Sequence, residues 1–439
     1  MSSEWRSHRL VDIALPGKDG LVDGPFGSNL PSSAYTQAGV PVIRGSNLTK
    51  GTERFKSDEF VYVSSETAGQ LSRSLCLPND IVFTKKGTLG QIGLVPFGRH
   101  STYLLSSNQM RMRVDGACAD PEFVYYYLAQ RESIEKIIRD SEHTGVPKIN
   151  LGYLKSFPIS LPDVRTQRAI ASVLSAFDER ITVLRETNTT LEAIAQALFK
   201  SWFVDFDPVR AKLAGLAPKG MDEATAALFP EAFEDTELGA VPKGWGYSSV
   251  GESFVLTMGQ SPPGDTYNDA AEGLAFYQGR TDFGFRFPTQ RVFCVKPSRI
   301  AEVGDTLVSV RAPVGDVNMA IERCCIGRGV ASVRHPKDYR GFAFYAMRSL
   351  GEQFKMFDSE GTVFGSINKK DFQALPVISP DDGVLRAYDE LTSPIDRRVV
   401  KNEQQLRTLA ILRDTLIPRL ISGQLRLPEA QHQIEEAAA

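Results

Sequence analysis

The chain is poor in the residues that build covalently stapled or metal-bound folds. Its 439 residues include five cysteines, five histidines and three tryptophans. No Cys-x-x-Cys pair occurs, and Cys324 beside Cys325 suits neither a zinc ribbon nor a disulfide framework. The histidines (His8, His100, His143, His335, His432) are scattered without ligand spacing. No apolar run approaches the ~18–20 residues that span a bilayer. The opening Met1-Ser-Ser-Glu-Trp-Arg6 has no apolar stretch of the secretory kind. The expected setting is the cytoplasm, with reduced thiols.

Catalytic motifs are missing as well. There is no Gly-x-x-x-x-Gly-Lys-Ser/Thr loop, no Gly-x-Gly-x-x-Gly opening a βαβ unit, no His-Glu-x-x-His and no Gly-x-Ser-x-Gly. Asp80 with Lys85 has part of a nuclease-like carboxylate–lysine arrangement but lacks a second acid, so a turn-forming role for Asp80 is preferred. Asp205 and Asp207 are read as a helix stop before Pro208 rather than as cation ligands. No catalytic residue and no metal site is predicted.

What is present is a repeat. With 42% hydrophobic and 23% charged residues the chain can bury sizeable cores, and its length alone suits about three domains. Asp80-Ile-Val-Phe-Thr-Lys-Lys-Gly-Thr-Leu-Gly90 aligns without gaps on Asp305-Thr-Leu-Val-Ser-Val-Arg-Ala-Pro-Val-Gly315, at an offset of 225. Ile149-Asn150, Leu154 and Phe157-Pro158 fall on Ile367-Asn368, Phe372 and Leu375-Pro376 at an offset of 218. A duplicated module of half the chain replaces three domains with two copies. Each copy runs from a Gly/Pro/Ser-rich stretch (24–31; 259–264) through short β segments to a short helix, predicted over 121–140 and 339–357. A long helix closes each copy.

Those long helices carry the clearest periodicity. Ile170, Leu174, Phe177, Ile181, Leu184, Asn188, Leu191, Ala195, Leu198 and Trp202 recur at steps of four and three, a coiled-coil seam with one polar member. The second copy gives Ile395, Val399, Asn402, Leu406, Leu409, Leu416 and Leu420, with Arg413 interrupting. Pro394 is expected to break the second helix, leaving sustained stretches near 178–203 and 396–421, about 39 Å long at 1.5 Å per residue. An antiparallel pairing that sets Asn188 opposite Asn402 also brings Ile170 to Leu420 and Ala195 to Ile395, and a slip of one heptad is the alternative.

The net charge of −3 argues against a nucleic-acid partner only until it is mapped. Residues 204–240 hold eight acidic against three basic residues, and the tail from Pro428 adds three acidic ones, so the remaining body carries +5. Lys85 and Lys86 beside Gly87, with Arg311 at the position of Lys86, suit phosphate contact. Arg44, Asn108, Gln109, Gln278, Arg280 and Arg328 have the chemistry that reads base edges. The loops bearing them differ most between the copies, as two modules reading different half-sites require. The helices would hold the modules about one DNA turn apart, ~34–36 Å.

At this point the chain resembles the specificity (S) subunits of type I restriction–modification enzymes. The resemblance is carried by Thr144-Gly-Val-Pro-Lys-Ile-Asn-Leu151, Phe157-Pro158, Leu161-Pro162, Gln167-Arg168, Ala197-Leu-Phe-Lys-Ser-Trp-Phe-Val-Asp-Phe-Asp-Pro208 and Val241-Pro-Lys-Gly-Trp245. It implies an α+β fold of two tandem target-recognition domains joined by two long antiparallel coiled-coil helices, with pseudo-two-fold internal symmetry. The divisions are a first recognition domain at 1–160, a central helical region at 161–204 and an acidic linker at 205–240. A second recognition domain follows at 241–380, a C-terminal helical region at 381–425 and an acidic tail at 426–439. The resemblance further implies a non-catalytic subunit that recognises a bipartite double-stranded DNA target. It would bind two modification (methyltransferase) subunits and the restriction (translocase/nuclease) subunits, and no membrane. S-adenosylmethionine, ATP and Mg would belong to those partners, with no cofactor in this chain. A self-contained nuclease or methyltransferase, or a scaffold without DNA contact, are the alternatives.

Overall fold

The repeated Ile-Asn pair is a helix start. In the computed structural model, which describes residues 5–51, 53–141, 146–359 and 365–438, Asn150 Oδ1 accepts the Tyr153 amide at 2.8 Å and Asn368 Oδ1 accepts the Asp371 amide at 3.0 Å. Each asparagine caps a short helix, Leu151–Ser156 and Lys369–Ala374, while Ile149 and Ile367 are buried beside it. Thr144 and Gly145, which open the motif in the first copy, lie outside the described residues.

Two compact units result, Met1–Leu184 with Gln405–Ala439 and Arg185–Gln404. The division differs from two successive halves. Each long helix, Val164–Phe203 and Asp382–Ile421, contributes one end to each unit, because antiparallel pairing brings the end of the chain back to the first module.

In the first unit a four-stranded antiparallel sheet has the order Leu21–Asp23, Gln109–Met112, Ile81–Thr84, Ile92–Leu94. A five-stranded sheet has the order Tyr35–Thr36, Val61–Val63, Val40–Ile43, Tyr103–Leu105, Leu75–Cys76, and Arg6–Arg9 pairs with Pro158–Leu161. The second unit repeats this order strand for strand. Val255–Met258, Val330–Arg334, Thr306–Val310 and Val314–Met319 form its four-stranded sheet. Tyr267–Asn268, Phe293–Cys294, Leu274–Tyr277, Cys324–Ile326 and Ile300–Ala301 form the five-stranded one, and Gly246–Ser249 pairs with Pro376–Ser379.

The predicted short helix is two helices in each unit, Pro121–Ala129 with Arg131–Arg139 and Arg340–Ser349 with Gly351–Ser359. The extended backbone of Gln130 (ψ 153) makes the first break.

Pro394 does not break its helix, which runs unbroken for 40 residues, as does the first. At 1.5 Å per residue each is about 60 Å long, not 39 Å. Pro394 and Pro418 lie on the exposed side, where the carbonyls they leave unpaired can take water. The expected linker and tail are also folded. Helices Asp207–Leu213 and Glu223–Ala227 and a hairpin (Phe233–Thr236, Gly239–Pro242) bury Phe206, Val209 and Phe229 in the second core, while most of the acidic side chains point to solvent. The tail forms the helix Leu427–Ala438, with Ala430 in the first core.

In the second unit the two polar seam residues meet, Asn402 Nδ2 donating to Asn188 Oδ1 at 2.7 Å and Asn188 Nδ2 to Glu403 Oε1 at 2.8 Å. Both asparagines are about 1% exposed. Leu191 and Leu198 pack partly buried, Val399 fully. In the first unit Ile181 and Leu184 cluster with Leu406 and Leu409, and Leu416 packs with Ile170, Leu174 and Phe177. Asn188→Leu alone strands the Asn402 amide, so a loss of about 1–3 kcal/mol is expected. Adding Asn402→Leu is expected to recover most of it, which urea denaturation in a double-mutant cycle reads as coupling.

Candidate nucleic-acid interface

Polar residues collect where strands of both sheets end. In the first unit Val40–Ile43 and Tyr103–Leu105 run parallel, Ile43 opposite Leu105. The chain leaves them at Arg44 and at the turn Ser106-Ser107-Asn108. That turn enters Gln109–Met112, whose neighbour Ile81–Thr84 ends at Lys85-Lys86, and the Lys85 amide bonds the Asn108 carbonyl at 2.8 Å. Arg44, Asn108, Lys85 and Lys86 therefore share one edge.

The second unit builds the same edge from different residues. Leu274–Tyr277 runs parallel to Cys324–Ile326, Tyr277 opposite Ile326, and they lead to Gln278 and Arg328. Thr306–Val310 ends at Arg311, and the Val310 amide bonds the Gly329 carbonyl at 2.9 Å. Lys86 and Arg311 occupy one position in detail, forming isolated bridges to Lys148 and Ser366 of the two capped segments.

The Gly/Pro/Ser-rich stretches reach this edge too. A Cβ on Gly24 would fall 2.1 Å from the Ser106 carbonyl oxygen, and one on Gly259 2.2 Å from that of Gly327. Only glycine permits both close approaches. They bring Phe26, 82% exposed, and Ser261, whose Oγ accepts the Arg328 amide at 3.4 Å, into the set. Sequence reasoning marked both stretches as irregular but not as part of the site.

Availability differs among the expected contact residues. Lys86, Asn108, Gln278, Arg311 and Arg328 are exposed, and Lys86, Arg311 and Arg328 have no carboxylate partner among the described residues. Lys85 is half-buried and paired with Asp23 at 3.0 Å. Arg280 is 59% exposed and paired with Asp316 at 2.6 Å. Arg44 is half-buried and donates to the Glu59 carbonyl at 3.0 Å. Gln109 departs from expectation. It is the first residue of its strand, its side chain turns inward to bond Ser106 Oγ, and at 2% exposure it has no surface for a base edge. Asn108 lies in the exposed turn, whereas Gln109 opens a strand whose four residues are all buried.

Each unit also holds an ion network, half-buried in the first and buried in the second, that the sequence reading missed. Arg54 donates to Asp178 at 3.0 Å, to Glu122 at 3.2 Å and to the Tyr126 hydroxyl at 2.8 Å, and Arg413 donates to the other oxygen of Asp178 at 2.5 Å. Arg413, the interruption in the seam, is therefore an ion-pair member. In the second unit Arg286 donates to Glu192 at 2.8 Å, to Asp396 at 2.5 Å and to the Tyr345 hydroxyl at 3.2 Å, with its guanidinium 3.4 Å above the Phe344 ring. Arg348 also pairs with Glu192. The signal was available: Phe123-Val-Tyr-Tyr126 falls on Phe342-Ala-Phe-Tyr345, and Asp178 on Asp396.

Burial pushes the Asp396 carboxyl up to about 6; the nearby Arg286 opposes this, while Glu192 and Asp389 add to it. An unfolded aspartate titrates near 3.9, so between the two values the folded unit holds the extra proton. This stabilisation is complete below about pH 4 and is lost as pH rises through about 6. Asp396→Asn is expected to flatten the pH dependence of the urea midpoint over that window; an unchanged profile would assign the dependence to other groups.

Asp80 is structural. It is 1% exposed and takes Arg113 Nε at 2.8 Å and Nη2 at 2.7 Å, and Asp305 pairs likewise with Arg334 at 2.5 and 2.9 Å. Asp205 pairs with Lys200, and Asp207 opens a helix ahead of Pro208. Phe199, Trp202, Phe203 and Phe206 are core residues. Among the described residues no group of three His, Cys, Asp or Glu could hold a metal ion, and no helix is long and apolar enough to cross a membrane.

The sheet scaffold is thus duplicated, with divergent and basic strand-end edges, and known proteins of one kind are similar to it. Residues 29–193 match the family described as "Type I restriction modification DNA specificity domain". The chain is 26% identical over 432 residues to the putative type I restriction enzyme MjaX specificity subunit of Methanocaldococcus jannaschii, covering 97% of this chain and 94% of that one. It is 25% identical over 374 residues to the type I restriction enzyme HindI specificity subunit of Haemophilus influenzae, covering 74% and 81%. The fold resembles the crystal structure of the type I restriction–modification S subunit from M. genitalium, with a TM-score of 0.60, 17% identity and 95% and 96% coverage. Over nearly its whole length the chain is thus similar to specificity subunits of type I restriction–modification systems, and residues 29–193 carry the match to the DNA specificity domain of that family.

Proposed function

We propose that each unit reads one half of a bipartite double-stranded DNA target. The long helices set the spacer and dock two modification subunits, with restriction subunits joining the full complex. The observation that carries this reading is the pair of equivalent edges. The same strand ends present Arg44, Asn108 and Lys86 in one unit and Gln278, Arg328 and Arg311 in the other. Amides and guanidinium groups suit base edges, while lysines beside open glycine turns suit phosphates. Methyl transfer from S-adenosylmethionine and ATP- and Mg-dependent cleavage fall to the partner subunits, in the cytoplasm.

Two variants separate the roles. Lys86→Ala is expected to weaken binding of the full chain to all duplexes alike and to lower the salt slope by about 1. Arg280→Ala is expected to cost about tenfold in discrimination at one half-site and little on random DNA. Equal losses on specific and random duplexes for both variants would contradict the division.

A further inference from the structure

Two of the residues at the candidate edges, Arg44 and Gln278, do not stand on the sheet alone. Each opens a loop that returns to the long helices. In the first unit the loop leaves Val40–Ile43 at Arg44, and Asn47, fully buried, is its hub. Asn47 Oδ1 accepts the Arg44 amide at 2.9 Å, and its Nδ2 donates to the carbonyls of Lys56 at 3.2 Å and Asp58 at 3.0 Å. Arg44 itself donates to the Glu59 carbonyl at 3.0 Å. From inside this laced loop Arg54 reaches Asp178 of the first long helix.

The second unit builds the same device from an unrelated loop. The chain leaves Leu274–Tyr277 at Gln278, and Asp282, 5% exposed, is the hub. Asp282 accepts the Gln278 amide at 2.8 Å and Arg291 Nη2 at 2.5 Å, and its carbonyl takes the Thr289 amide at 2.7 Å. From inside this loop Arg286, 1% exposed, reaches Glu192 and Asp396 of the two long helices. Arg54 and Arg286 stand 232 residues apart, whereas Asp178 and Asp396 stand 218 apart. The loops have changed in length and sequence, yet each keeps one arginine on an aspartate at the same position of its helix.

We propose that Arg54 and Arg286 are positioning residues for sequence reading. Each fixes the loop that carries its unit's base-reading side chain, Arg44 in one and Gln278 with Arg280 in the other, against the helices. This rests on the reading of the two edges as DNA-binding. A forked guanidinium locked by two or three acceptors restrains a loop in position and in rotation, which a lysine's single ammonium cannot do. Base-edge hydrogen bonds need such placement, and phosphate contacts tolerate its loss. An arginine that merely stabilised the fold would affect all DNA equally.

The test uses the full chain and the sequence it selects from a random-sequence duplex pool. Binding is measured to that duplex, to duplexes with one or the other block scrambled, and to a duplex with both scrambled. Arg54→Met is expected to lose about tenfold or more of the discrimination at one block and to keep the other within about twofold. Arg286→Met is expected to do the reverse, and binding to the fully scrambled duplex is expected to stay within about threefold for both. Arg54→Lys and Arg286→Lys, which keep the buried charge, are expected to blur the same blocks more weakly, and they decide the matter if a methionine variant does not fold. Equal loss at both blocks, no loss at either, or unfolding of the lysine variants as well would make the arginines structural and overturn the proposal. A wild-type chain that selects no sequence overturns the DNA reading itself, and that is seen before any variant is compared.

Discussion

Replacing Arg286 by alanine is expected to lower the stability of the second unit by about 3–5 kcal/mol, the cost of breaking a buried ion network from one side. Arg286 is 1% exposed, and it is shared by Glu192 and Asp396 while its guanidinium stacks on Phe344. Removal leaves Asp396 without its partner and Glu192 dependent on Arg348. Proton uptake by Asp396 would offset part of the cost at low pH, so the loss is expected to be larger at pH 8 than at pH 5. Urea denaturation followed by circular dichroism at both pH values measures it. A loss below about 0.5 kcal/mol, the scale of an exposed pair, would show that the network is not holding the unit together.

Asp80→Ala is expected to cost the first unit a similar 3–5 kcal/mol. Arg111 of the strand Gln109–Met112 and Arg113 just beyond it converge on that carboxylate, Arg113 through Nε and Nη2 and Arg111 at 3.8 Å. Arg111 is 2% exposed, and its remaining partners are the Leu75 and Asp19 carbonyls. Alanine leaves the buried Arg111 cation without its ion-pair partner, with Asp19 as the remaining nearby carboxylate. Asp80→Asn keeps the Leu77 contact at 2.8 Å and is expected to lose less than alanine, though the charge is gone. An alanine variant as stable as the wild-type chain would refute the structural role and reopen the nuclease-like reading of Asp80.

Much of the scaffold was legible because it rests on spacing. The offset of the Asp80 and Asp305 segments located two equivalent strands and, with them, Lys86 and Arg311 at one position. Seven-residue periodicity located the seam, and its single asparagines offered one of two registers, the one in which the buried amides meet in the structure. Other features were hidden because they depend on contacts between residues distant in sequence. Antiparallel helices divide the chain as Met1–Leu184 with Gln405–Ala439, which no successive domain boundary captures. Pro394 reads locally as a helix breaker, yet its exposed side can accept the lost hydrogen bond. Residues 205–240 read as a linker by charge, whereas Phe206, Val209 and Phe229 decide their packing.

The candidate site was half legible. Residue chemistry selected Arg44, Asn108, Gln278, Arg311 and Arg328, and strand ends bring them to matching edges. Chemistry could not separate exposed Asn108 from buried Gln109, because the point where the turn ends and the buried strand begins decides that. Nor could it find Arg54, whose partners lie up to 124 residues away.

Selection of duplexes from a random-sequence pool by the full chain together with the modification subunits proposed for it, read by sequencing, tests sequence reading by two units most directly. Two short specific blocks separated by a fixed number of unspecified base pairs are expected, with Arg280→Ala degrading one block only. A single contiguous motif, or recovery of the pool without enrichment, would contradict it.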